Sequence, residues 1–367
     1  MLVKLIATLG ERECDFTVVS LLDAGTQGAA LRAMGVPVHE LRMKQSWRLL
    51  ALLLRLRQIV RQVDPDVIQG WMYHGNVAAT IARRLAGSTA RLFWGVRQTY
   101  YGIKMERPLT RLVIRASAAL SGTPEAVIYN SRLSLQQHQE AGFVAERGVV
   151  IPNGFDTVRF RPDAAARAAT RDRLDLPQHA EVVGLVARDH PMKDHANFLR
   201  AAAAVARACP NVFFILAGTG IEPGNERIAA LVADAGLGQR VRLLGEVSDV
   251  ETLLPAFDVA VLSSAWGEAF PNVLGESLAC GVPCVSTDTG DAAAIIGGAG
   301  RIVPRADSEQ LAAAIVEVLR LGPEGRRTLG EEGRRRVEAK FSLKAVAERH
   351  LRLYAADRCE GATSCAE

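Results

Sequence analysis

Glu268 and Glu276, two carboxylates eight positions apart, are the residues of this sequence best placed to do chemistry. The preceding run, Phe257 to Ser263, is β-branched and almost wholly apolar, which predicts a strand buried on both faces. Gly267 then lets the backbone turn. Glu268 should therefore lie in the loop at the carboxyl end of a parallel strand, where open α/β sheets place their ligands.

A helix is predicted to start just after Glu268 and to hold Glu276 in its second turn. Pro271 suits the first helical position, because its missing N–H would have no partner there and its φ is already helical. The first amides of this helix would point outward, an arrangement that binds anions. They belong to the segment near Phe270 and to Asn272, Val273 and Leu274. With carboxylates on both sides that suit sugar hydroxyls, the segment predicts a site for a phosphate between two sugars.

A basic pair follows the strand predicted over Glu181 to Val186. Arg188 and Lys193 are five positions apart in the next loop, so a guanidinium and an ammonium could neutralise one diphosphate. Alone, such a pair is typical of a solvated loop, and its weight comes from the two carboxylates. Gly218 permits close approach of the backbone to a nucleotide, although the pattern Gly-Thr-Gly also occurs in simple turns.

The order of these motifs resembles the retaining glycosyltransferase family 4. The resemblance rests on the two Glu with Phe-Pro after the first and Ala-Cys-Gly-Val-Pro after the second, on Val186 to Lys193, and on Ile151 to Asp156. The resemblance extends from about residue 14 to residue 356. Within the family, the chain resembles the branch that assembles polysaccharides and lipopolysaccharides. The resemblance implies an α/β protein of the GT-B fold, in which two Rossmann-like parallel-sheet domains face each other across a cleft.

The resemblance also implies transfer of a glycosyl group from a nucleotide-diphosphate sugar to an acceptor hydroxyl, with retention of the anomeric configuration. Glu276 would hold the ribose, Glu268 the donor sugar, and Arg188 and Lys193 the departing diphosphate, without a metal ion or other cofactor. Gly245 would approach the base through its backbone. UDP is the favoured nucleotide, and a lipid-linked or polysaccharide precursor in cell-surface glycan assembly is the favoured acceptor.

The composition of the chain limits its class. With 367 residues, 49% of them hydrophobic, it can build two domains with full cores. No uncharged apolar run approaches the roughly 18 residues of a membrane span, and no signal peptide is recognisable, so we expect a cytoplasmic protein. The six cysteines form no C-x-x-C pair and have no histidines at zinc spacing, so they do not indicate a metal site.

Positive charge is concentrated in the first 150 residues, which carry 19 Lys and Arg against 11 Asp and Glu. Nucleic acid is not the expected partner, because only 5% of all residues are aromatic and no base-stacking or groove-reading motif is present. Anionic lipid or a phosphate-bearing acceptor fits better. Ser46 to Arg61 predicts a capped helix that either packs on its own sheet or lies on a membrane surface, the second alternative being peripheral contact at the inner face of the plasma membrane.

The first domain is predicted to begin with a helix, Met1 to Leu9, and not with a strand. Strands follow over Phe16 to Leu22 and Val36 to Leu41, on either side of a short helix. Doubly wound sheets place their first strand centrally, and the resembling family begins with that strand and a Gly-rich loop. We therefore expect that the first strand is missing here. Without it, its two neighbours would pair directly or stay apart with unpaired backbone groups.

Two residues of the first domain are candidates for the acceptor side. His74 follows the strand Val67 to Trp71, at the edge where ligands bind, but a lone histidine is as often a plain polar residue. Arg97 follows the strand Arg91 to Gly95 and resembles a position of the polysaccharide-assembly branch. Asp64-Pro-Asp66, in contrast, is predicted to be a helix-to-strand turn and not a metal site.

The predicted organisation has four parts. They are an N-terminal acceptor-side Rossmann-like domain with an incomplete start (1–152), a nucleotide-sugar-binding Rossmann-like domain (153–341), a helix that crosses back to the first domain (342–357) and a flexible tail (358–367). In the second domain, Arg334 to Arg336 are expected on a solvated helix face. The function favoured is a retaining, metal-independent glycosyltransferase of the hexosyltransferase type. The alternative is a nucleotide-sugar-binding homologue whose catalysis is impaired by the missing strand.

Overall fold

The computed structural model describes residues 1–10, 14–43, 49–100, 107–177 and 179–355. The chain forms two compact α/β units, Phe155–Ser342 being one, and Met1–Gly154 with the chain from Leu343 onward being the other. None of the described helices is long and apolar enough to cross a bilayer. The predicted cap Ser46 and the predicted tail, 358–367, lie outside the described residues.

The first unit alternates short parallel strands with helices. Its strands are β1 (Val18–Ser20), β2 (Val38–Glu40), β3 (Val67–Trp71), β4 (Arg91–Val96), β5 (Ala126–Tyr129) and β6 (Gly148–Val150). Its helices are α1 (Leu2–Gly10), α2 (Gly25–Ala33), α3 (Leu49–Val63), α4 (Met72–Ala86), α5 (Pro108–Leu120), α6 (Arg132–Glu140) and, at the end of the chain, α15 (Leu343–Ala355). The predicted opening helix is thus confirmed.

The strands of the first unit lie in two separate sheets, β1-β2 and β3-β4-β5-β6. A doubly wound sheet would have its first strand between β1 and β3, and here these two strands do not pair. They therefore stay apart, one of the two arrangements expected without a central strand. Helix α1 buries Leu5 and Leu9 against Ala347 of α15, so the last helix packs on the first.

The second unit contains one six-stranded parallel sheet. Its strands are β7 (Glu181–Val186), β8 (Val212–Ala217), β9 (Val241–Leu243), β10 (Val259–Leu262), β11 (Cys284–Thr287) and β12 (Gly300–Val303). Its helices are α7 (Ala164–Arg173), α8 (His195–Ala208), α9 (Glu226–Asp234), α10 (Val250–Leu253), α11 (Asn272–Ala279), α12 (Ala292–Ile296), α13 (Ser308–Arg320) and α14 (Gly322–Phe341). The alternation predicted from the apolar runs is confirmed, with β7 and β8 at the predicted bounds.

The strand order of this sheet, β12-β11-β10-β7-β8-β9, reverses between β10 and β7. From β7 the chain moves outward through β8 and β9, and it then returns to β10 on the other side of β7. Such a switch point opens a crevice at the carboxyl ends of the two central strands. The loops after β7 and β10 are therefore the ones that the fold brings together for a ligand.

The expectation of a solvated face is wrong for Arg334 and Arg336, whereas Arg335 is exposed as expected. Arg334 donates hydrogen bonds to the carbonyls of Thr157 and Phe160, each at 3.2 Å, and Arg336 donates to Ile295 O at 3.1 Å. Carbonyls that lie outside regular ladders still need donors, and α14 supplies them. These arginines fasten α14 to the body of the unit.

Candidate active site

The loop after β7 and the loop after β10 are joined by hydrogen bonds from a backbone amide and from a serine hydroxyl. Ala265 N donates to Met192 O at 2.9 Å, and Ser263 Oγ donates to Lys193 O at 2.7 Å. Ser263 is fully buried at the end of β10. Buried polar groups are costly unless they are paired, so these hydrogen bonds are favoured. They fix the position of the Lys193 backbone relative to the loop after β10.

Lys193 and Glu268 form a largely buried ion pair at this switch point. The Nζ of Lys193 lies 2.5 Å from Glu268 Oε1, and only 9% of the Glu268 side chain is exposed. Ser264, which is fully buried, donates its hydroxyl to the same oxygen at 2.7 Å. Thr287 Oγ1 in turn donates to the backbone oxygen of Ser264 at 2.7 Å. The carboxylate is thus held by two donors on one oxygen.

The second carboxylate oxygen of Glu268, Oε2, is the atom of this ion pair that can accept a hydrogen bond from a ligand. No hydrogen bond within the described residues engages Oε2, whereas Oε1 receives both an ammonium and a hydroxyl. An ammonium has three donors, so Lys193 keeps donors for an anion after one has gone to Glu268. Oε2 can therefore accept a hydrogen bond from a hydroxyl group, and the Lys193 ammonium can bind a phosphate oxygen.

Two glycines allow the Glu268 loop to come this close to its neighbours. Gly267 has φ +89°, and a Cβ there would lie 1.8 Å from Met192 Sδ. Gly290, in the loop after β11, has φ +56°, and its Cβ would lie 2.6 Å from the backbone oxygens of both Glu268 and Ala269. Positive φ and lack of space both select glycine at these positions.

The start of α11 differs from the prediction. Pro271 has ψ 102° and precedes the helix, which begins at Asn272. Leu274 N donates to Pro271 O at 3.2 Å, so the expectation that the Leu274 amide points outward to an anion is wrong. The extended conformation of Pro271 moves the first turn along by one residue. Asn272 is exposed and Val273 is half-buried, so they remain the residues of this turn nearest to solvent.

Phe270 and Glu276 lie on different sides of this helix start. The Phe270 ring is buried between Phe155 and Phe341, at centroid distances of 5.9 and 5.7 Å, so its side chain belongs to the core. Glu276 is half-buried in the second turn of α11. Together with the dominant hydrogen bond from Glu251, Glu276 contributes to raising the pKa of Arg159. The Glu276 carboxylate therefore interacts electrostatically with the guanidinium of Arg159.

The remaining candidates of this unit are Arg188, Gly218 and Gly245. Arg188 is exposed just beyond β7, and no hydrogen bond or ion pair within the described residues engages its guanidinium. Gly218 N donates to Gly245 O at 2.7 Å, and Gly245 N donates to Ile221 O at 3.0 Å. These two amides are therefore occupied by loop contacts. A Cβ on Gly218 would lie 2.4 Å from Ala187 O, so its lack of a side chain serves the packing of neighbouring loops.

Two polar groups of the site were missed in the sequence. Besides Ser264, Asp189 joins the loops after β7 and β8, since its backbone N donates to Thr219 O at 2.7 Å and its carboxylate accepts from Asn225 Nδ2 at 2.8 Å. Asp189 also forms an ion pair with Arg227. The signal available was position alone, because Ser264 directly follows one predicted strand and Asp189 lies three positions beyond the end of another.

In the first unit, His74 and Arg97 lie in different settings. His74 is exposed in the first turn of α4. Arg97 follows β4 and donates to Ile151 O at 3.2 Å and to Asn153 Oδ1 at 3.1 Å, while its Nη2 lies 3.3 Å from His350 Nε2. Burial lowers the pKa of Arg97 to about 10. Arg97 therefore holds α15 to the sheet, a contact that the sequence did not indicate.

Two family models match the chain over most of its length. The model described as Glycosyltransferase Family 4 matches residues 1–159, and the one described as Glycosyl transferases group 1 matches residues 180–320. The chain thus carries a Glycosyltransferase Family 4 domain followed by a Glycosyl transferases group 1 domain. HepE from Anabaena, solved in complex with UDP and glucose, is similar in fold with a TM-score of 0.79. It is 23% identical, and the match covers 97% of this chain and 95% of HepE. The expectation of a GT-B fold is confirmed.

Curated relatives match over shorter stretches. The GDP-mannose-dependent monoacylated alpha-(1-6)-phosphatidylinositol monomannoside mannosyltransferase of Corynebacterium glutamicum is 28% identical, over 64% of this chain and 63% of the relative. The lipopolysaccharide core biosynthesis glycosyltransferase LpsE of Rhizobium meliloti is 34% identical, over 51% of this chain and 54% of LpsE. The chain thus spans less than two thirds of the length of these relatives.

Proposed function

We propose that this protein transfers a glycosyl group from a nucleotide-diphosphate sugar to a lipid-linked or polysaccharide acceptor in cell-surface glycan assembly. The observation that carries the proposal is the Lys193–Glu268 ion pair, anchored by Ser264 at the switch point of the second sheet. This pair puts an anion-binding cation and a hydroxyl-binding carboxylate within one contact of each other. A sugar diphosphate presents both complementary groups, phosphate oxygens for the cation and sugar hydroxyls for the carboxylate.

Each residue of the site has a distinct part in the proposed reaction. Glu268 Oε2 accepts a hydrogen bond from a hydroxyl of the donor sugar, and Lys193 binds the diphosphate. The exposed Arg188 is a second cation that stabilises the charge developing on the leaving group. Glu276 binds the ribose. The bond from the anomeric carbon to the diphosphate breaks with its electron pair going to the diphosphate. The acceptor oxygen attacks from the same face, and its proton passes to a phosphate oxygen, which gives retention without a metal ion.

UDP is the proposed nucleotide of the donor. The structure of HepE, which contains UDP and glucose, supports this choice, whereas the Corynebacterium relative is named for GDP-mannose. LpsE, named for lipopolysaccharide core biosynthesis, supports a glycan acceptor. We place the reaction in the cytoplasm, at the inner face of the membrane that carries such an acceptor.

A nucleotide-sugar-binding protein with impaired transfer is the second candidate. The observation that favours it is the separation of the β1-β2 sheet from the sheet that begins with β3. In that case the donor site of the second unit would still bind nucleotide. The two functions differ in turnover and not in nucleotide binding.

A thermal-shift panel with UDP, GDP and ADP, each with and without Mg²⁺, tests the donor site. We expect stabilisation by UDP that is independent of Mg²⁺ and is weakened in Glu276→Ala. Saturation at 100 times Kd corresponds to about 2.7 kcal/mol, which a melting curve resolves. No shift with any nucleotide, in a protein that melts cooperatively, would contradict the proposal. NMR of the product anomer from a UDP-sugar and a glycan acceptor then separates transfer from binding alone.

A further inference from the structure

The helices α3, α4 and α5 of the first unit form a layer that carries positive charge only. Its arginines are Arg55, Arg57 and Arg61 in α3, Arg83 and Arg84 in α4, and Arg111 and Arg115 in α5. None of the three helices contains an Asp or a Glu. Arg57 and Arg61 donate to the carbonyls of Leu85 and Ala86, at 3.2 and 3.0 Å. Carbonyls do not neutralise a guanidinium, so Arg57 and Arg61 keep their charge.

The three helices lie side by side and point the same way. Each leads into the amino end of a strand of the parallel sheet β3-β4-β5, and α4 packs between α3 and α5. Parallel strands joined by right-handed crossovers put such helices on one face of the sheet. The first turns of α3 and α5 therefore lie at the carboxyl ends of the strands, the end that also holds Arg97.

Large apolar side chains are exposed in the first two turns of α3 and α5. Leu109 and Leu112 of α5 are 71% and 63% exposed, and Leu50 and Leu54 of α3 are 70% and 51% exposed. Leu109 and Leu112 are three positions apart, so they share one side of α5, while Ile114 and Ser117 are buried. Single exposed apolar residues are normal on a protein surface, but four exposed leucines at one end of a basic layer indicate an interaction site.

The exposed side of α5 also carries charge at both ends of the apolar pair. Arg107 precedes the helix and Arg115 follows one turn after Leu112, and both are exposed. Leucines between arginines, on a helix without acidic residues, match the pattern of a helix that lies in a bilayer interface. Anionic headgroups attract such arginines, and the leucines bury beneath the headgroup level.

We propose that the first turns of α5 and α3 dock on an anionic phospholipid bilayer, with Leu109 and Leu112 inserted and Arg107 and Arg115 on the headgroups. The face then brings the ligand-binding end of the first sheet to the membrane surface, where a lipid-linked acceptor would be found. The docking itself depends on this face alone and does not require the proposed transfer reaction. Its test therefore stays separate from the test of the donor site.

Flotation with vesicles of phosphatidylglycerol and phosphatidylcholine, against vesicles of phosphatidylcholine alone, measures the docking. We expect the full chain to float with the anionic vesicles and not with the neutral ones, and to be released as salt rises. Arg107→Gln with Arg115→Gln should weaken binding about thirtyfold. Arg200→Gln with Arg207→Gln removes the same charge from exposed positions of α8 and should leave binding nearly unchanged.

The apolar half of the face has its own variants. Leu109→Ser with Leu112→Ser should lower binding to anionic vesicles at least about tenfold, while Val158→Ser, at a position 79% exposed in the second unit, should not. Circular dichroism and the UDP thermal shift should be the same in all variants. Equal binding to neutral vesicles, or anionic binding that survives both α5 variants, would overturn the proposal. So would a dimer in solution that the leucine variant dissociates, because the face would then join two copies of the chain.

Discussion

Oε1 of Glu268 accepts from both Lys193 and Ser264, at 2.5 and 2.7 Å, and this shared oxygen defines the candidate site at the scale of single residues. A buried ion pair is a weak source of stability, because desolvation offsets much of the attraction. Its value here is geometric. Two donors on one oxygen fix the rotation of the carboxylate, so the other oxygen is held in one orientation.

Ser264 is expected to act through Glu268. Glu268→Ala should lower turnover about 10²–10³-fold, the cost of one preorganised electrostatic contact. Ser264→Ala removes one hydrogen bond to a charged group, worth about 1.5–3 kcal/mol, so we expect a loss of kcat of at least about tenfold with little change in donor KM. Added to Glu268→Ala, it should have no further effect.

The double-variant comparison needs a control on a neighbouring strand. Ser286 in β11 is fully buried, and its hydroxyl donates to Thr287 O at 2.8 Å without touching Glu268. Ser286→Ala should therefore leave kcat within a few-fold of the parent. A loss from Ser264→Ala that is the same with and without Glu268 would show that Ser264 has a structural role only.

At the scale of elements, the sequence predicts the frame better than the contacts between loops. β7 and β8 have the predicted bounds because continuous apolar runs are an unambiguous signal for buried strands. The ion pair of Lys193 with Glu268, and the hydrogen bond from Ser263 to Lys193 O across 70 positions, depend on two loops meeting at a switch point. Neither local pattern contains that meeting, so only the candidate residues could be predicted and not their pairing.

Helix boundaries and surface assignments fail for related reasons. Pro271 suits both the first helical position and the residue before it, and packing of the adjacent Phe270 ring in the core accompanies the second choice. Arg334 has the spacing of a solvated residue, but it binds the carbonyls of Thr157 and Phe160, which lie far away in sequence. A charged residue on a helix shows no local sign of distant carbonyls that need donors.

The loop after β11 supports the Glu268 loop, and Gly290 is the point of contact. Gly290→Ala adds a Cβ 2.6 Å from Glu268 O at a φ of +56°. Gly322→Ala introduces a similar positive φ of +69° with no atom within 4 Å of the new Cβ. Both should lose about 1–2 kcal/mol from the left-handed conformation. Gly290→Ala should lose about 1–3 kcal/mol more from overpacking and most of its turnover.

Melting curves and kcat measured on both glycine variants separate backbone strain from displacement of the loop. Equal destabilisation, with turnover retained in Gly290→Ala, would mean that the Glu268 loop does not depend on this support. A greater loss in Gly290→Ala alone would place the loop after β11 within the functional unit.

At the scale of the whole molecule, the two units differ in charge and share a sensitivity to acid. The basic residues collect in the first 150 positions, where the structure gives them a helix layer without carboxylates. Three histidines are almost fully buried, His138 and His350 in the first unit and His195 in the second. Burial lowers the pKa of each to about 4.

The sign of the acid effect follows from these pKa values. Between about pH 6.5, the ordinary value for an unfolded histidine, and pH 4, the unfolded chain binds protons at these positions that the folded chain does not. Stability is therefore complete above that window and falls as pH decreases, by up to about 1.4 kcal/mol per pH unit for each histidine. The carboxyls whose pKa is lowered, such as Glu40 and Glu251, add their loss only below about pH 4.5.

Urea unfolding at pH 7.5, 6.5, 5.8 and 5.2 tests the histidine contribution before the carboxyls titrate. Because the two units can unfold separately, each transition is followed by itself. His195→Gln should flatten the pH dependence of the second unit and leave that of the first unchanged. His138→Gln should reduce the pH dependence of the first unit by about half, because His350 still titrates there, and should leave the second unit unchanged. His74→Gln is the control, since His74 is exposed. If the parent loses no stability between pH 6.5 and 5.2, the buried histidines are protonated in the folded protein and the structure must admit charge at these positions.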